Sequence, residues 1–315
     1  MKLRELGRSG VAVPPVMIGG NVFGWTADKP TSFRILDACL DAGLSAIDTA
    51  DVYSAWAPGH QGGESETVIG EWMSLRGCRD RVVIATKVGM KMGSGDEGLS
   101  PGWIAREADA SLRRLGVDHI DLYQAHRDDE ATPLEDTLGA FARLIEQGKV
   151  RAIGASNYTA TRLSEALRTA ERLGLPRYET LQPHYNLIER QGYEAELDAV
   201  CRAEGLGVIP YFALAAGFLT GKYRSEADLG KSPRGGGVKK YLGPRGDKVL
   251  AALDAVAARL AAQPSEVAIA WLVARPGITA PIASATSPEQ VASLVRAATL
   301  ELDAEAMQAL DAASL

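Results

Sequence analysis

Cysteine is scarce in this chain: Cys39, Cys78 and Cys201 are three in 315 residues, far apart and without a CxxC pair. Neither a disulfide framework nor a cysteine zinc site is expected, and a reducing, cytoplasmic setting fits. Histidine is nearly as rare, and His60, His119, His126 and His184 share no ligand spacing, so no metal is expected. Positive charge is not in excess either. Thirty-four Lys and Arg against 40 Asp and Glu leave a net charge of −6, which provides no field for attracting nucleic acid. Long apolar runs are missing. The uncharged stretch 205–221 falls short of the roughly 20 residues of a membrane span and contains Pro210. The apolar run 11–18 behind Lys2, Arg4 and Arg8 is split by Pro14 and Pro15 with no cleavage pattern after it, so no signal peptide is expected. No Pro/Gly/Ser-rich linker divides the chain, and one domain over residues 1–315 is expected.

What is present is a globular composition, 46% apolar, in which short β-like runs alternate with longer stretches of helical period. Candidate strands are 16–18, 44–48, 82–87, 119–124, 150–156, 178–182, 207–211 and 279–282. Candidate helices are 31–41, 64–75, 101–115, 133–146, 160–173, 193–204, 248–262, 265–273 and 288–295. Thr31 is placed to cap the first of these, and Pro101 and Pro133 read as first-turn prolines behind Ser100 and Thr132. Eight strands with about one helix each predict an α/β fold, a closed (β/α)8 barrel. Residues 3–13, with a turn at Gly7 to Gly10, read as a hairpin plugging one end. A glycine-rich connection, 220–247, follows the seventh strand.

Barrel active sites gather at the C-terminal ends of strands. Asp48 ends strand two, Tyr53 lies in the loop after it, Lys87 ends strand three, and His126 follows strand four. A tyrosine hydroxyl has an ordinary pKa of about 10 and is a poor acid near neutrality unless a cation stabilises its phenolate. Lys87 supplies such a cation, Asp48 orients it, and His126 positions a carbonyl beside Tyr53. Trp25 and Trp56, in the loops after strands one and two, are candidate walls of a substrate pocket.

The segments Asp48-Thr-Ala-Asp-Val-Tyr53, Ala85-Thr-Lys87, Tyr123-Gln-Ala-His126, Gly154-Ala-Ser-Asn157 and Gln182-Pro-His-Tyr-Asn186 resemble the aldo-keto reductase superfamily. The resemblance continues through residues 210–223 and 281–290. It implies a barrel that binds NADPH without a Rossmann fold and reduces a small-molecule aldehyde or ketone, with Tyr53 as acid and Lys87, Asp48 and His126 as its partners. It also implies that Ser156, Asn157 and Gln182 hold the nicotinamide carboxamide and that Tyr211 stacks on the ring. Leu214, Gly217, Leu219 and Lys222 would line the pyrophosphate path, and Ser284, Thr286 and Gln290 would meet the adenosine.

The chain departs from the family at the adenosine end. Residues 283–290 carry no cation, and Ser293-Leu294 stands where members often have Glu-Asn. A 2′-phosphate needs positive charge, for which Lys222 and Arg234 are the candidates, and NADH remains an alternative. The literal GxGxxG at residues 93–98 stands six residues beyond strand three and ahead of Ser100-Pro101, so its glycines miss the strand-to-helix turn that a dinucleotide fingerprint needs. Gly235-Gly-Gly237 with Lys239 and Lys240 reads either as an anion-binding loop or as a solvated tip. Two other readings stay open: a lyase using Lys87 as a Schiff base, and a cofactor-binding regulatory partner like the potassium-channel β subunits, which the resemblance also reaches.

Overall fold

The computed structural model describes residues 1–92, 97–232 and 235–315. The chain opens with an antiparallel hairpin, β1 (Arg4–Glu5) and β2 (Ala12–Val13). Eight parallel strands follow: β3 (Met17–Gly19), β4 (Ala46–Asp48), β5 (Val83–Val88), β6 (Ile120–Ala125), β7 (Val150–Ser156), β8 (Thr180–Gln182), β9 (Gly207–Val208) and β10 (Ile282–Ala283). Each pairs with its sequence neighbour and β10 pairs with β3. The ring closes between β9 and β10, where Thr279 N donates to Val208 O and Ile282 N to Pro210 O, both at 2.8 Å. This is the expected barrel.

The helices are α1 (Lys29–Asp41), α2 (Glu64–Arg76), α3 (Pro101–Leu115), α4 (Leu134–Glu146), α5 (Ala160–Leu173), α6 (Gln191–Glu194), α7 (Leu197–Glu204), α8 (Pro244–Arg259), α9 (Pro264–Ala274), α10 (Pro288–Thr299) and α11 (Ala304–Ser314). Their apolar faces pack on the outside of the strands in one large cluster that includes Trp72, Phe141, Tyr178 and Trp271. Among the described residues no helix is long and apolar enough to cross a membrane.

A separate cluster fills the N-terminal end of the barrel. Leu6, Val11 and Val13 of the hairpin meet Met17, Ala46, Ala85, Leu122, Ala152 and Ile209. Alanines on β4, β5 and β7 leave room there, and the hairpin side chains occupy it at interior density. Gly7 makes the approach possible. Its φ of +61° suits glycine, and a Cβ there would lie 2.2 Å from Glu179 O.

The differences from the sequence reading have local causes. Helix α1 begins two residues early because Asp28, not Thr31, caps it, accepting from Thr31 N at 2.9 Å. Pro133 occupies the cap position of α4 rather than its first turn, since Thr132 spends its hydroxyl as a donor to Asp129 Oδ2 at 2.7 Å. The expected helix 193–204 is split into α6 and α7. Helix α11, capped by Asp303 through Ala306 N at 2.8 Å, is an addition to the expected helices, and Asp303 precedes Ala306, Leu310 and Ala313 at helical spacing. The connection after β9 is organised by 3-10 turns at Ala215–Thr220, Glu226–Lys231 and Gly235–Tyr241, and α8 starts already at Pro244.

One packing contact yields a test. Gly70 of α2 faces the end of α3, where a Cβ would stand 2.4 Å from Arg114 O and 2.6 Å from Leu115 O, backbone atoms that cannot swing away. Gly70→Ala is therefore expected to destabilise by about 1–3 kcal/mol despite alanine's better helix propensity. Gly139→Ala in α4, whose nearest neighbour is the Arg143 tip at 3.8 Å, is expected to stabilise by roughly 1 kcal/mol. Urea midpoints of the two variants should move in opposite directions.

Candidate active site

Strand register brings the polar residues to one rim. Asp48 sits beside Ala85, Lys87 beside Gln124, and Ser156 beside Gln182. Because side chains alternate along a strand, residues 48, 87 and 124 face the barrel axis on the same side as Ala46, Ala85 and Leu122, one step nearer the C-terminal end.

Lys87 is fully buried, and its ammonium donates to Asp48 Oδ2 at 2.7 Å, Thr49 O at 2.7 Å and Tyr53 OH at 3.0 Å. Three donors meet three acceptors, which leaves the nitrogen saturated. Burial alone would push the Lys87 pKa down, but the Asp48 carboxylate and the Tyr53 oxygen outweigh it and hold the ammonium above its ordinary value. Asp48 accepts further from Gln182 Nε2 at 2.8 Å and from Gln124 Nε2 at 3.3 Å. Gln124 and the Thr49 carbonyl are members of this network that the sequence reading missed. A polar residue on the strand that His126 follows, two positions before it, was the available signal for Gln124.

Tyr53 faces the cavity with part of its ring, in edge contact with Trp56 at 5.8 Å and His126 at 5.9 Å. Desolvation raises its pKa, and Lys87 offsets this only in part. The expected lowering by the lysine is thus present as an influence but does not decide the direction. The phenol keeps its proton at neutral pH. Two residues earlier, Asp51 is buried, with Oδ2 lacking a protein partner, and burial beside Glu66 and Glu107 pushes its carboxyl well up.

His126 borders the cavity, while its Nδ1 is buried without a partner. Burial, and then the charges of Lys87 and Arg127, drives its pKa well below the usual 6.5, so the ring is neutral near pH 7. The unfolded chain therefore binds a proton at this histidine at a pH where the folded chain does not. Stability should fall as the pH drops below about 6.5, by up to about 1.4 kcal/mol per pH unit from this group. Urea unfolding of wild type and His126→Gln near pH 7 and near pH 5.5 should show the smaller acid loss in the variant.

The cavity above these residues measures about 670 Å³. Ser156, Asn157, Gln182 and Tyr211 border it next to Tyr53, and Leu214, Gly217, Lys222, Ser284, Thr286 and Gln290 extend it. Asn157, at a left-handed φ of +56°, donates to His126 O at 2.9 Å and accepts from Tyr211 OH at 2.8 Å, which ties β6, β7 and β9 together at the rim. Ser156 Oγ donates to Gln182 O at 2.9 Å. Two expectations change. Leu219 is a buried core residue outside the lining, because the 3-10 turn at residues 215–220 directs it inward. Trp25 is not in the lining; it stands edge-on to Trp56 at 5.5 Å, and Trp56 alone of the two borders the cavity. Arg234 lies outside the described residues, as do residues 93–96 of the GxGxxG. Lys239 and Lys240 pair with Glu226 at 3.1 Å and Glu189 at 2.8 Å, which leaves the Gly235 turn without a spare ammonium at either lysine. Among the described residues no cluster of three or more His, Cys, Asp or Glu is arranged to hold a metal.

The lining suits an extended dinucleotide. It offers amides and hydroxyls beside an aromatic ring at one end, a narrow floor at Gly19, where a Cβ would meet Ser284 Oγ at 2.5 Å, and hydroxyls with an amide at the other. Lys222 is the one lysine or arginine of the lining among the described residues. A pyrophosphate fits this set better than an additional 2′-phosphate does.

The Aldo/keto reductase family model matches residues 15–315. An uncharacterized oxidoreductase, YrpG of Bacillus subtilis (strain 168), is 35% identical over 319 residues, which cover 99% of this chain and 95% of the relative. A probable voltage-gated potassium channel subunit beta of Oryza sativa subsp. japonica is 33% identical, over 94% of this chain and 91% of its own length. The aldo-keto reductase AMT2 of Alternaria alternata is 31% identical, over 96% and 88%. With barrel, rim and sequence in agreement, the chain belongs to the aldo/keto reductase family and is, in general terms, an oxidoreductase.

Proposed function

We propose that this chain, as one barrel domain, reduces aldehydes or ketones to alcohols with NADPH or NADH, and that Tyr53 is the general acid. The observation that carries the reading is the saturated Lys87 ammonium. It donates to the Tyr53 oxygen, so the phenol's own proton is turned away from Lys87 and is free to face the cavity. A bound reduced nicotinamide supplies the hydride for the carbonyl carbon.

The chain's residues do the rest. His126, neutral and in the tautomer with its proton on Nε2, donates to the carbonyl oxygen and fixes it beside Tyr53. Tyr53 transfers its proton to that oxygen as negative charge develops there. The phenolate left behind stands 3.0 Å from an ammonium that Asp48 and the Thr49 carbonyl hold in place. Of the residues that border the cavity, Asn157, Ser156 and Gln182 would hold the carboxamide, Tyr211 would cover the ring, Lys222 would meet the pyrophosphate, and Ser284, Thr286 and Gln290 would meet the adenosine.

The same saturation weakens the Schiff-base reading, since a lysine nitrogen without a lone pair is no nucleophile. The regulatory reading is disfavoured by the presence of all four reacting groups in one geometry. A panel of aldehydes and ketones assayed with both reduced cofactors by nicotinamide absorbance tests the proposal. Carbonyl-dependent oxidation is expected, with the dissociation constants of NADPH and NADH within about tenfold of each other. Tight cofactor binding without turnover across the panel would overturn it in favour of the regulatory protein.

A further inference from the structure

We propose that Asp51 is a buried proton-binding site, held as a neutral carboxylic acid, and that its neutrality keeps a further negative charge away from the phenolate formed at Tyr53. Asp51 lies in the turn after β4 and is fully buried. Its backbone N donates to Lys87 O at 3.3 Å, and its Oδ1 accepts from the N–H of the next residue, Val52, at 2.6 Å. Oδ2 has no protein partner.

The cations around it are committed elsewhere. Arg114 donates to Glu66 Oε2 at 2.6 Å and to Glu107 Oε2 at 3.2 Å, and Lys87 spends its three donors on Asp48, Thr49 O and Tyr53. Asp51, Glu66 and Glu107 thus share one guanidinium, and among the described residues Asp51 is the carboxylate of the three that no cation touches. An unpaired carboxylate in a dry interior costs far more than a neutral acid with one free hydroxyl, so the group takes up a proton on Oδ2. Burial first, and then Glu66 and Glu107, push its pKa well up, against the pull of the Val52 N–H and Arg114.

Tyr123 of β6 faces the same space. Its hydroxyl is fully buried without a partner, and the charges that reach it are those of Asp51, Glu66 and Glu107 against Arg114. The titratable groups facing Asp51 are therefore Glu66 from α2, Glu107 and Arg114 from α3, Tyr123 from β6, and Tyr53 from its own turn. Toward Tyr53, Asp51 acts with Asp48 to raise the phenol's pKa, against Lys87. A charged Asp51 makes the phenolate harder to form and proton release slower, whereas a neutral one leaves Lys87 opposed by Asp48 alone. This link rests on the reading of Tyr53 as the acid; the proton on Asp51 does not.

An unfolded aspartate releases its proton near its ordinary pKa of about 3.9, while the folded chain holds this one to higher pH, so the stability it contributes is present in acid and is lost as the pH rises. Urea unfolding of the full chain and of Asp51→Asn tests this, because asparagine cannot ionise and His126 is common to both. Between about pH 5 and pH 7 the wild-type unfolding constant should rise relative to that of the variant by about tenfold per pH unit. If Asp51→Asn folds poorly, the infrared spectrum of wild type with isotope-labelled aspartate carboxyls decides: at pH 7 it should contain a label-sensitive C=O stretch of a protonated acid. A ratio that does not change with pH, or the absence of that band, would overturn the proton-binding site. Buried carboxylic acids titrate as late as about pH 8–9, which sets the test of the link. With NADH and whichever of benzaldehyde and glyceraldehyde is reduced faster, kcat near pH 9 relative to pH 7 should be higher in Asp51→Asn than in the wild type by about threefold or more. Identical profiles would overturn the link to Tyr53. A chain that reduces neither aldehyde with either cofactor would overturn the reductase reading and the link with it, while unfolding and infrared spectra still decide the proton.

Discussion

Tyr53→Phe should lower kcat for carbonyl reduction about a thousandfold, within the hundred- to ten-thousandfold range of a positioned general acid, while the cofactor dissociation constant changes little. The substitution removes one oxygen. The ring retains its edge contacts with Trp56 and His126, and Lys87 retains two acceptors, Asp48 Oδ2 and Thr49 O. The lost function is thus confined to the proton and to the charge that Lys87 would face once the proton has gone. Steady-state kinetics and cofactor titration on the same preparation separate the two effects. Wild-type turnover in the variant would contradict the assignment of Tyr53.

The second large effect is on stability. Lys87→Met leaves the buried Asp48 carboxylate with two glutamine amides and no cation, and should cost about 3–5 kcal/mol. The cost arises from an uncompensated charge rather than from a lost attraction, so adding Asp48→Asn should restore part of it. A double-mutant cycle by urea unfolding measures that coupling. Turnover should fall in both variants, because the phenolate formed at Tyr53 would no longer face an ammonium. A Lys87→Met protein as stable as wild type would contradict an ionised Asp48 that depends on Lys87 in the folded chain.

The barrel was legible because its code is repetitive: eight short β-rich runs, each followed by a helical period, need no long-range information to be counted. Helices α3 and α5 have the expected bounds: Ser100 with Pro101 marked the first in the sequence, and the second starts where Thr159 caps it in the structure, both local features that act within four residues. Asp48, Tyr53, Lys87 and His126 were readable because strand ends converge on one rim in this architecture, so sequence order alone brings them near each other. What escaped depends on three-dimensional neighbours. Nothing local tells that Leu219 turns inward while Leu214 borders the cavity, or that Trp25 stands behind Trp56. The direction of the Tyr53 pKa was hidden for the same reason, since burial by distant segments outweighs the lysine that the motif supplies. The segment 220–247 read as a bare loop because 3-10 turns are short and glycine-rich, and they carry no apolar period.

The most direct measurement follows a label. The purified chain, given cofactor carrying deuterium at the transferable position of the reduced nicotinamide ring and a carbonyl substrate, should return an alcohol with that deuterium on the carbinol carbon, as read by mass spectrometry. An alcohol without the label, or oxidation of the cofactor with no alcohol formed, would contradict carbonyl reduction in this cavity.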